Sequence, residues 1–350
     1  MKHILLIATG GTIASAEDGN GLSPALTGEE LARCVPEIDG LCNLDIVQPM
    51  NIDSTNMRPA DWLRIAEVIR EGYASHDGFL ILHGTDTMAY TAAALSYLVQ
   101  HSPKPIVLTG SQQPMGQAFT DAKLNLYQSL LYAIDDHARD VSIVFGGQAI
   151  AGTRGRKQRT VSFNAFTSVN YPALALIRYN RIIHSGAFLA HGASTSTAPA
   201  ATSTGEQDEP SFAIGLNSCV CTLKLTPGLT PDIFRLLKPD YDAVILETFG
   251  MGGVPELGAD GASFQDAIFD WVESGRIVVM TTQVPEEGLD LGVYEVGRAY
   301  AEHPGILKGG DMTTEALIAK TMWALGQTRD VSELEALFYR PINHDRMDTV

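Results

Sequence analysis

The chain has 350 residues, of which 45% are hydrophobic and 19% charged, with 41 acidic against 24 basic side chains and a formal net charge of -17. That length suggests about two domains, with ample apolar material for two cores. The acidic excess argues against a nucleic-acid backbone as the main partner, because phosphate binding needs a basic surface. No run approaches the roughly 20 apolar residues of a membrane span. Met1-Lys2-His3 leads only into a short apolar run without a cleavage site, so no signal peptide is expected and the cytoplasm is the expected location. Cys34, Cys42, Cys219 and Cys221 form no C-x-x-C pair, so free, buried thiols are expected rather than a metal site or a disulfide framework.

Ile4-Leu5-Leu6-Ile7-Ala8 is a buried-strand pattern that runs straight into Thr9-Gly10-Gly11-Thr12-Ile13-Ala14-Ser15. The paired glycines allow a sharp turn and a close approach of substrate, and Thr12 then presents a hydroxyl at a strand end. A plain turn in which Thr12 only caps the chain fits the same letters. Residues 17–30 are polar and glycine-rich and read as a mobile loop, followed by a helix through Leu31-Ala32 with Thr27 and Glu30 as a capping box. Leu44–Val47 is a short strand leading into Asn51-Ile52-Asp53-Ser54-Thr55, and Pro59 opens a helix to about Glu71. Gly78–Leu82 is a strand ending in His83-Gly84-Thr85-Asp86, followed by an alanine-rich helix from Thr87 to Val99. Pro105–Thr109 ends in Gly110-Ser111; Asp121–Asp135 is helical; Val141–Phe145 ends in Gly146-Gly147.

This alternation of short apolar strand, glycine or hydroxyl loop and helix predicts a parallel sheet with helices on both faces. The loops at the carboxyl ends of such strands converge on one edge. Residues 186–210 contain a Ser/Thr/Ala/Pro tract with little to bury and read as a linker or insertion. A second α/β unit follows, with strands Val220–Leu225, Ala243–Leu246 and Ile277–Thr281. Its helices fall near Pro231–Leu237, Ala262–Glu273, Thr313–Leu325 and Val331–Leu337, the last with Ser332 as cap. The expected fold is α/β, with a larger N-terminal doubly wound domain over 1–185, a linker over 186–210 and a smaller C-terminal α/β domain over 211–350.

Nucleophilic catalysis by a hydroxyl needs a proton acceptor, a hold on the oxyanion and a second activation for water. Thr12 and Thr85 supply hydroxyls at strand ends; Asp86 and Lys157 are candidate partners. A lysine between a carboxylate and a hydroxyl can relay a proton. Each has a plainer reading. Lys157 lies in the basic run Arg154–Arg159, which suits a solvated face, and Asp86 precedes a helix and suits an N-cap. No nucleophile elbow, phosphate-binding loop or H-E-x-x-H motif is present, and the nine histidines show no ligand spacing.

Together these stretches resemble the bacterial L-asparaginase family, in particular its cytoplasmic, type I-like branch. Thr9-Gly10-Gly11-Thr12-Ile13-Ala14 is similar to the first signature and His83-Gly84-Thr85-Asp86-Thr87 to the second. Phe163–Phe166, Phe249–Gly253 and Gly310–Thr313 match further landmarks. The resemblance covers nearly the whole chain. It implies Thr12 as nucleophile, Thr85, Asp86 and Lys157 as its catalytic partners, and Ser54 with Asp53, Thr55, Gly11 and Gly84 around the substrate. It implies hydrolysis of L-asparagine to L-aspartate and ammonia through a threonine acyl-enzyme, without metal or organic cofactor, in a homodimer or homotetramer. The alternatives are an amidase of the glutamyl-tRNA amidotransferase type and a non-catalytic amino-acid sensor of the same fold. Two departures stand out: Gly21 is followed by Leu22 where the family carries a tyrosine, and Thr281-Thr282-Gln283 is followed by Val284 where allosteric members carry a cysteine.

Overall fold

A computed structural model describes residues 1–17, 22–24, 28–38, 40–186, 209–292 and 295–347. Its contacts divide the chain into two units, Met1–Ile214 with Ile342–His344, and Gly215–Pro341 with Asp345–Val350. Among the described residues no helix is long and apolar enough to cross a membrane.

The first unit is built on an eight-stranded sheet. Its order is Arg181–His184, Ala175–Arg178, Gln148–Ala151, Asp140–Phe145, Pro105–Thr109, Gly78–Leu82, His3–Ala8 and Asn43–Val47. The last five of these are parallel, with His3–Ala8 between Asn43–Val47 and Gly78–Leu82. Ile4, Leu6, Ile7, Phe79 to Leu82 and Ile106 to Leu108 are fully buried. Continuous apolar runs of this kind mark strands covered on both faces. The alanine-rich helix Met88–Leu98 is buried almost throughout, and Pro59–Gly72 and Ala122–Ala133 bury one side each.

Two features depart from a simple parallel sheet. Three strands at one edge are antiparallel additions. The cause is local: Gly146 and Gly147 both adopt positive φ, so Phe145 turns directly into Gln148 through a two-residue hairpin instead of a crossover helix. The segment expected to be a loop from Glu17 contains a short antiparallel pair, Ser15–Glu17 with Leu22–Pro24, in which Glu17 faces Leu22. Residues 18–21, Thr27 of the expected capping box and most of the 186–210 linker, 187–208, lie outside the described residues. Beyond them, Ser211–Phe212 pairs antiparallel with Val99–Gln100 and so belongs to the first unit.

The second unit carries a four-stranded parallel sheet in chain order: Val220–Lys224, Ala243–Thr248, Ile277–Thr282 and Ile306–Lys308. The last strand is three residues long, too short to register as a sequence pattern. Trp271, Phe234, Phe264 and Tyr300 fill its core. Ser263 and Thr313 cap the helices Phe264–Glu273 and Thr314–Gln327 through their side-chain oxygens. The final helix, Val331–Tyr339, is capped by Asp330, which accepts from the Glu333 N–H, and not by Ser332. The four cysteines are free; Cys219 is exposed and none is fully buried, against expectation.

Candidate active site

All the candidate residues lie in the first unit, where parallel pairing brings the loops together. Ala8 pairs with Leu82, so the strands His3–Ala8 and Gly78–Leu82 end side by side. Thr9 is locked to that neighbour twice, through its N–H (3.0 Å) and its hydroxyl (2.8 Å), both donating to the Leu82 carbonyl. On the other side Ile52 N–H donates to Thr9 O (2.9 Å) and Gly11 N–H to Ile52 O (3.1 Å).

Gly10 and Gly11 have φ of 106° and 86°, a region that L side chains rarely adopt. There is also no space for a side chain. A Cβ on Gly11 would fall on the backbone of Gly84, and one on Gly84 would lie 2.5 Å from Ser54 Oγ. Gly11, Gly84 and Ser54 therefore meet through atoms that tolerate no addition, and this junction assembles three stretches that are distant in sequence. Thr12, half-buried, opens the short 3-10 turn Thr12–Ala14. Ser54, buried, opens a similar turn, Ser54–Asn56. Asp53 caps that turn: its Oδ1 accepts from both the N–H and the hydroxyl of Thr55, each at 2.9 Å.

The second cluster is Thr85, Asp86 and Lys157. Lys157 Nζ donates to Thr85 Oγ1 (2.7 Å) and to Asp86 Oδ1 (2.6 Å). Lys157 ends the strand Gly155–Lys157, paired antiparallel with Phe166–Ser168, and its side chain is only 18% exposed. The solvated-face reading of this lysine is thereby excluded. Asp86 is not the cap of the following helix either; Thr87 occupies that position, without a side-chain cap bond, and its hydroxyl donates to Ser54 O (2.8 Å).

Two supporting networks were not foreseen from sequence. His83 is fully buried, and burial pushes its pKa down to about 4, so the ring is neutral. Trp62 Nε1–H can only donate and bonds Thr91 Oγ1 (2.9 Å). The Thr91 hydroxyl then donates to His83 Nε2 (2.9 Å), which places the ring proton on Nδ1, donating to Gly84 O (2.7 Å). The chain of bonds ends on the residue that precedes Thr85. The other network centres on Asp121. Its carboxylate accepts from the N–H groups of Gln112 (3.0 Å) and Gln113 (3.1 Å) and from Asn125 Nδ2 (3.0 Å). Asn125 also donates to Gly110 O (3.0 Å) and accepts from Gly146 N–H (3.1 Å). Gln112, held in this way, takes the Thr85 hydroxyl at 3.3 Å. The available signals were weak: a histidine directly before Gly84-Thr85-Asp86, and an Asp-Asn pair four residues apart at a helix start.

The site thus offers one half-buried strand-end hydroxyl and, on the adjoining loop, a hydroxyl joined to an amine and a carboxylate at hydrogen-bond distance. That set can pass a proton between a hydroxyl and a carboxylate. Comparison with known proteins agrees with this architecture. Residues 3–187 match the family model "Asparaginase, N-terminal" and residues 219–338 match "Glutaminase/Asparaginase C-terminal domain". An L-asparaginase of Thermococcus kodakarensis is 35% identical over 341 residues, covering 97% of both chains. A glutamyl-tRNA(Gln) amidotransferase chain of Metallosphaera sedula is 33% identical over 349 residues, covering 95% of this chain and 74% of that one. A solved structure of the thermostable Thermococcus kodakarensis L-asparaginase superposes with a TM-score of 0.86 at 34% identity, over 99% of this chain and 100% of that one. Both family models lie on the two units that the structure separates, and the chain belongs to the asparaginase family.

Proposed function

We propose that the protein is an L-asparaginase that hydrolyses L-asparagine to L-aspartate and ammonia through an acyl-enzyme on Thr12. The carrying observation is the triplet in which Lys157 Nζ bridges Thr85 Oγ1 and Asp86 Oδ1 at 2.7 and 2.6 Å. In this reading Thr12 Oγ attacks the side-chain amide carbon, the proton of its hydroxyl is passed to the leaving nitrogen, the C–N bond breaks and ammonia departs. Water, activated beside Thr85 with its proton passing along Lys157 toward Asp86, then cleaves the β-aspartyl ester, and return of that proton to the departing Thr12 oxygen restores the hydroxyl. Ser54, Asp53 and Thr55 would hold the amino-acid end of the substrate, with Gly11 and Gly84 giving it room at the backbone. No step needs a metal or organic cofactor. The active assembly would be a homodimer or homotetramer.

An amidotransferase chain stands among the relatives, so the second reading is an amidase serving a tRNA-bound substrate. The net charge of -17 favours the free amino acid. Ammonia release from free asparagine, glutamine and their simple amides, with no tRNA present, separates the two. Turnover of asparagine alone supports the proposal. Silence with every free amide refutes it.

A further inference from the structure

At the opposite ends of the same strands, two imidazoles and a carboxylate converge. His3 opens the strand His3–Ala8, Asp45 lies in the neighbouring strand Asn43–Val47, and His76 lies just before Gly78–Leu82. His3 Nε2 is 3.0 Å and His76 Nε2 3.2 Å from the same oxygen, Asp45 Oδ2, and the three atoms lie within 4.8 Å of one another. Sequence spacing hides the group, since the two histidines stand far apart in the chain and only parallel pairing unites them.

The surroundings fix the geometry. His76 is buried, and its Nδ1 lies 2.9 Å from Gly72 O, an acceptor, so that nitrogen carries a proton and Nε2 is turned to Asp45. The His3 backbone is clamped in both directions: its N–H donates to Asp77 Oδ2 (2.7 Å) and its carbonyl accepts from Asp77 N–H (2.7 Å). The two rings lie 4.6 Å apart between centroids. Two imidazole nitrogens and a carboxylate oxygen that converge on one point are held together by a proton on the nitrogens or by a metal ion between them.

We propose that His3, Asp45 and His76 bind a divalent transition-metal ion, Zn2+ foremost, in a site remote from the catalytic loops. Ligands about 2.0–2.1 Å from one ion at tetrahedral angles lie about 3.3 Å apart, close to the 3.0 and 3.2 Å from the two imidazole nitrogens to Asp45 Oδ2. Two imidazoles with one carboxylate suit a borderline ion and not Ca2+ or Mg2+, which take oxygen ligands. The bond from His76 to a backbone carbonyl is the outer contact that metal-bound histidines habitually make. Asp45 is more than half exposed, which leaves a coordination position open to water. An ion here would clamp three adjacent strands at their amino-terminal ends, roughly 20 Å along the strand from Thr9.

The test is titration of the chelator-washed full-length protein with Zn2+ against a chromogenic chelator, with the melting temperature followed in parallel. The expected result is one ion per chain at micromolar affinity and a rise in Tm. His3→Gln and Asp45→Asn should each weaken binding by about tenfold or more, and Cys219→Ser should bind as the parent does. His3 is partly exposed, so His3→Gln keeps the test sound should a His76 variant fail to fold. Co2+ should give the visible bands of a nitrogen–oxygen site with no thiolate charge-transfer band. Absence of stoichiometric Zn2+ binding would overturn the proposal and leave a proton-bridged ion pair. Binding that survives His3→Gln and Asp45→Asn unchanged would overturn it equally.

Discussion

Both units place threonines at the carboxyl ends of parallel strands, yet Thr248 and Thr282 in the second unit bond backbone carbonyls while Thr85 in the first meets an amine that is paired with a carboxylate. In the second unit the Thr248 hydroxyl donates to Thr281 O (2.7 Å) and the Thr282 hydroxyl to Gly250 O (2.5 Å). Gln283, next in line, spends its amide on the carbonyls of Leu225 (2.6 Å) and Glu247 (3.0 Å). Those groups close backbone gaps between neighbouring strands. In the first unit Thr9 does the same for Leu82, but Thr85 receives an ammonium that is itself ion-paired. A strand-end hydroxyl is thus structural by default, and a proton-carrying partner from elsewhere in the chain changes what it can do.

The comparison breaks most sharply at Thr12. Thr12→Ala should lower kcat by about 10^4-fold or more with an unchanged melting curve, since the covalent route is lost while no core contact is. Steady-state ammonia release checks it, and an acyl adduct trapped on any other residue would refute the assignment. Lys157→Met should lower kcat by about a hundredfold or more, the scale of acid–base assistance. A near-normal rate would make the Thr85 cluster equivalent to the structural threonines of the second unit.

The third effect concerns stability. His83 is neutral in the fold, with a pKa of about 4 against 6.5 when exposed. Between these values the unfolded chain binds the extra proton. The contribution is therefore complete above pH 6.5 and is lost as the pH falls toward 4, by up to about 3 kcal/mol. Urea midpoints across that window should fall less steeply in His83→Gln than in the parent. The smallest effect is expected for Thr248→Val, which removes the side-chain donor to the Thr281 carbonyl and leaves the strand pairing in place. It should cost about 0.5–1.5 kcal/mol of stability and leave kcat within roughly twofold.

Much of this was readable in the letters. Runs such as Ile4–Ala8 and Phe79–Leu82 announced buried strands, and Gly10-Gly11 and Gly84 announced backbone contact, which the structure places against each other. Lys157 was harder, because Arg154–Arg159 reads as a solvated basic run. The strand Gly155–Lys157 withdraws its lysine toward Asp86, and Arg154 is itself fully buried. Asp121 and His83 were unreadable in principle, because their partners are loop N–H groups and carbonyls whose positions only the assembled sheet defines. The antiparallel edge depended on two consecutive positive-φ glycines, which sequence presents as one more glycine loop.

The return of Ile342–His344 to the first unit has a consequence for synthesis. Asn343 Nδ2 donates to Ser96 Oγ and to Val141 O, both at 2.8 Å, and Asn343 O accepts the Thr153 hydroxyl at 2.6 Å. Arg154 Nε donates to His344 O at 2.5 Å, and Tyr171 stacks on the His344 ring. On the ribosome these partners emerge long before residue 343 does. At translation speeds of about 5–20 residues per second, a nascent chain that has completed residue 214 waits roughly 10 s for its last three contributors. During that interval Ser96, Val141 and Thr153 lack their final partners, and the half-made protein is at its most exposed to chaperones and proteases.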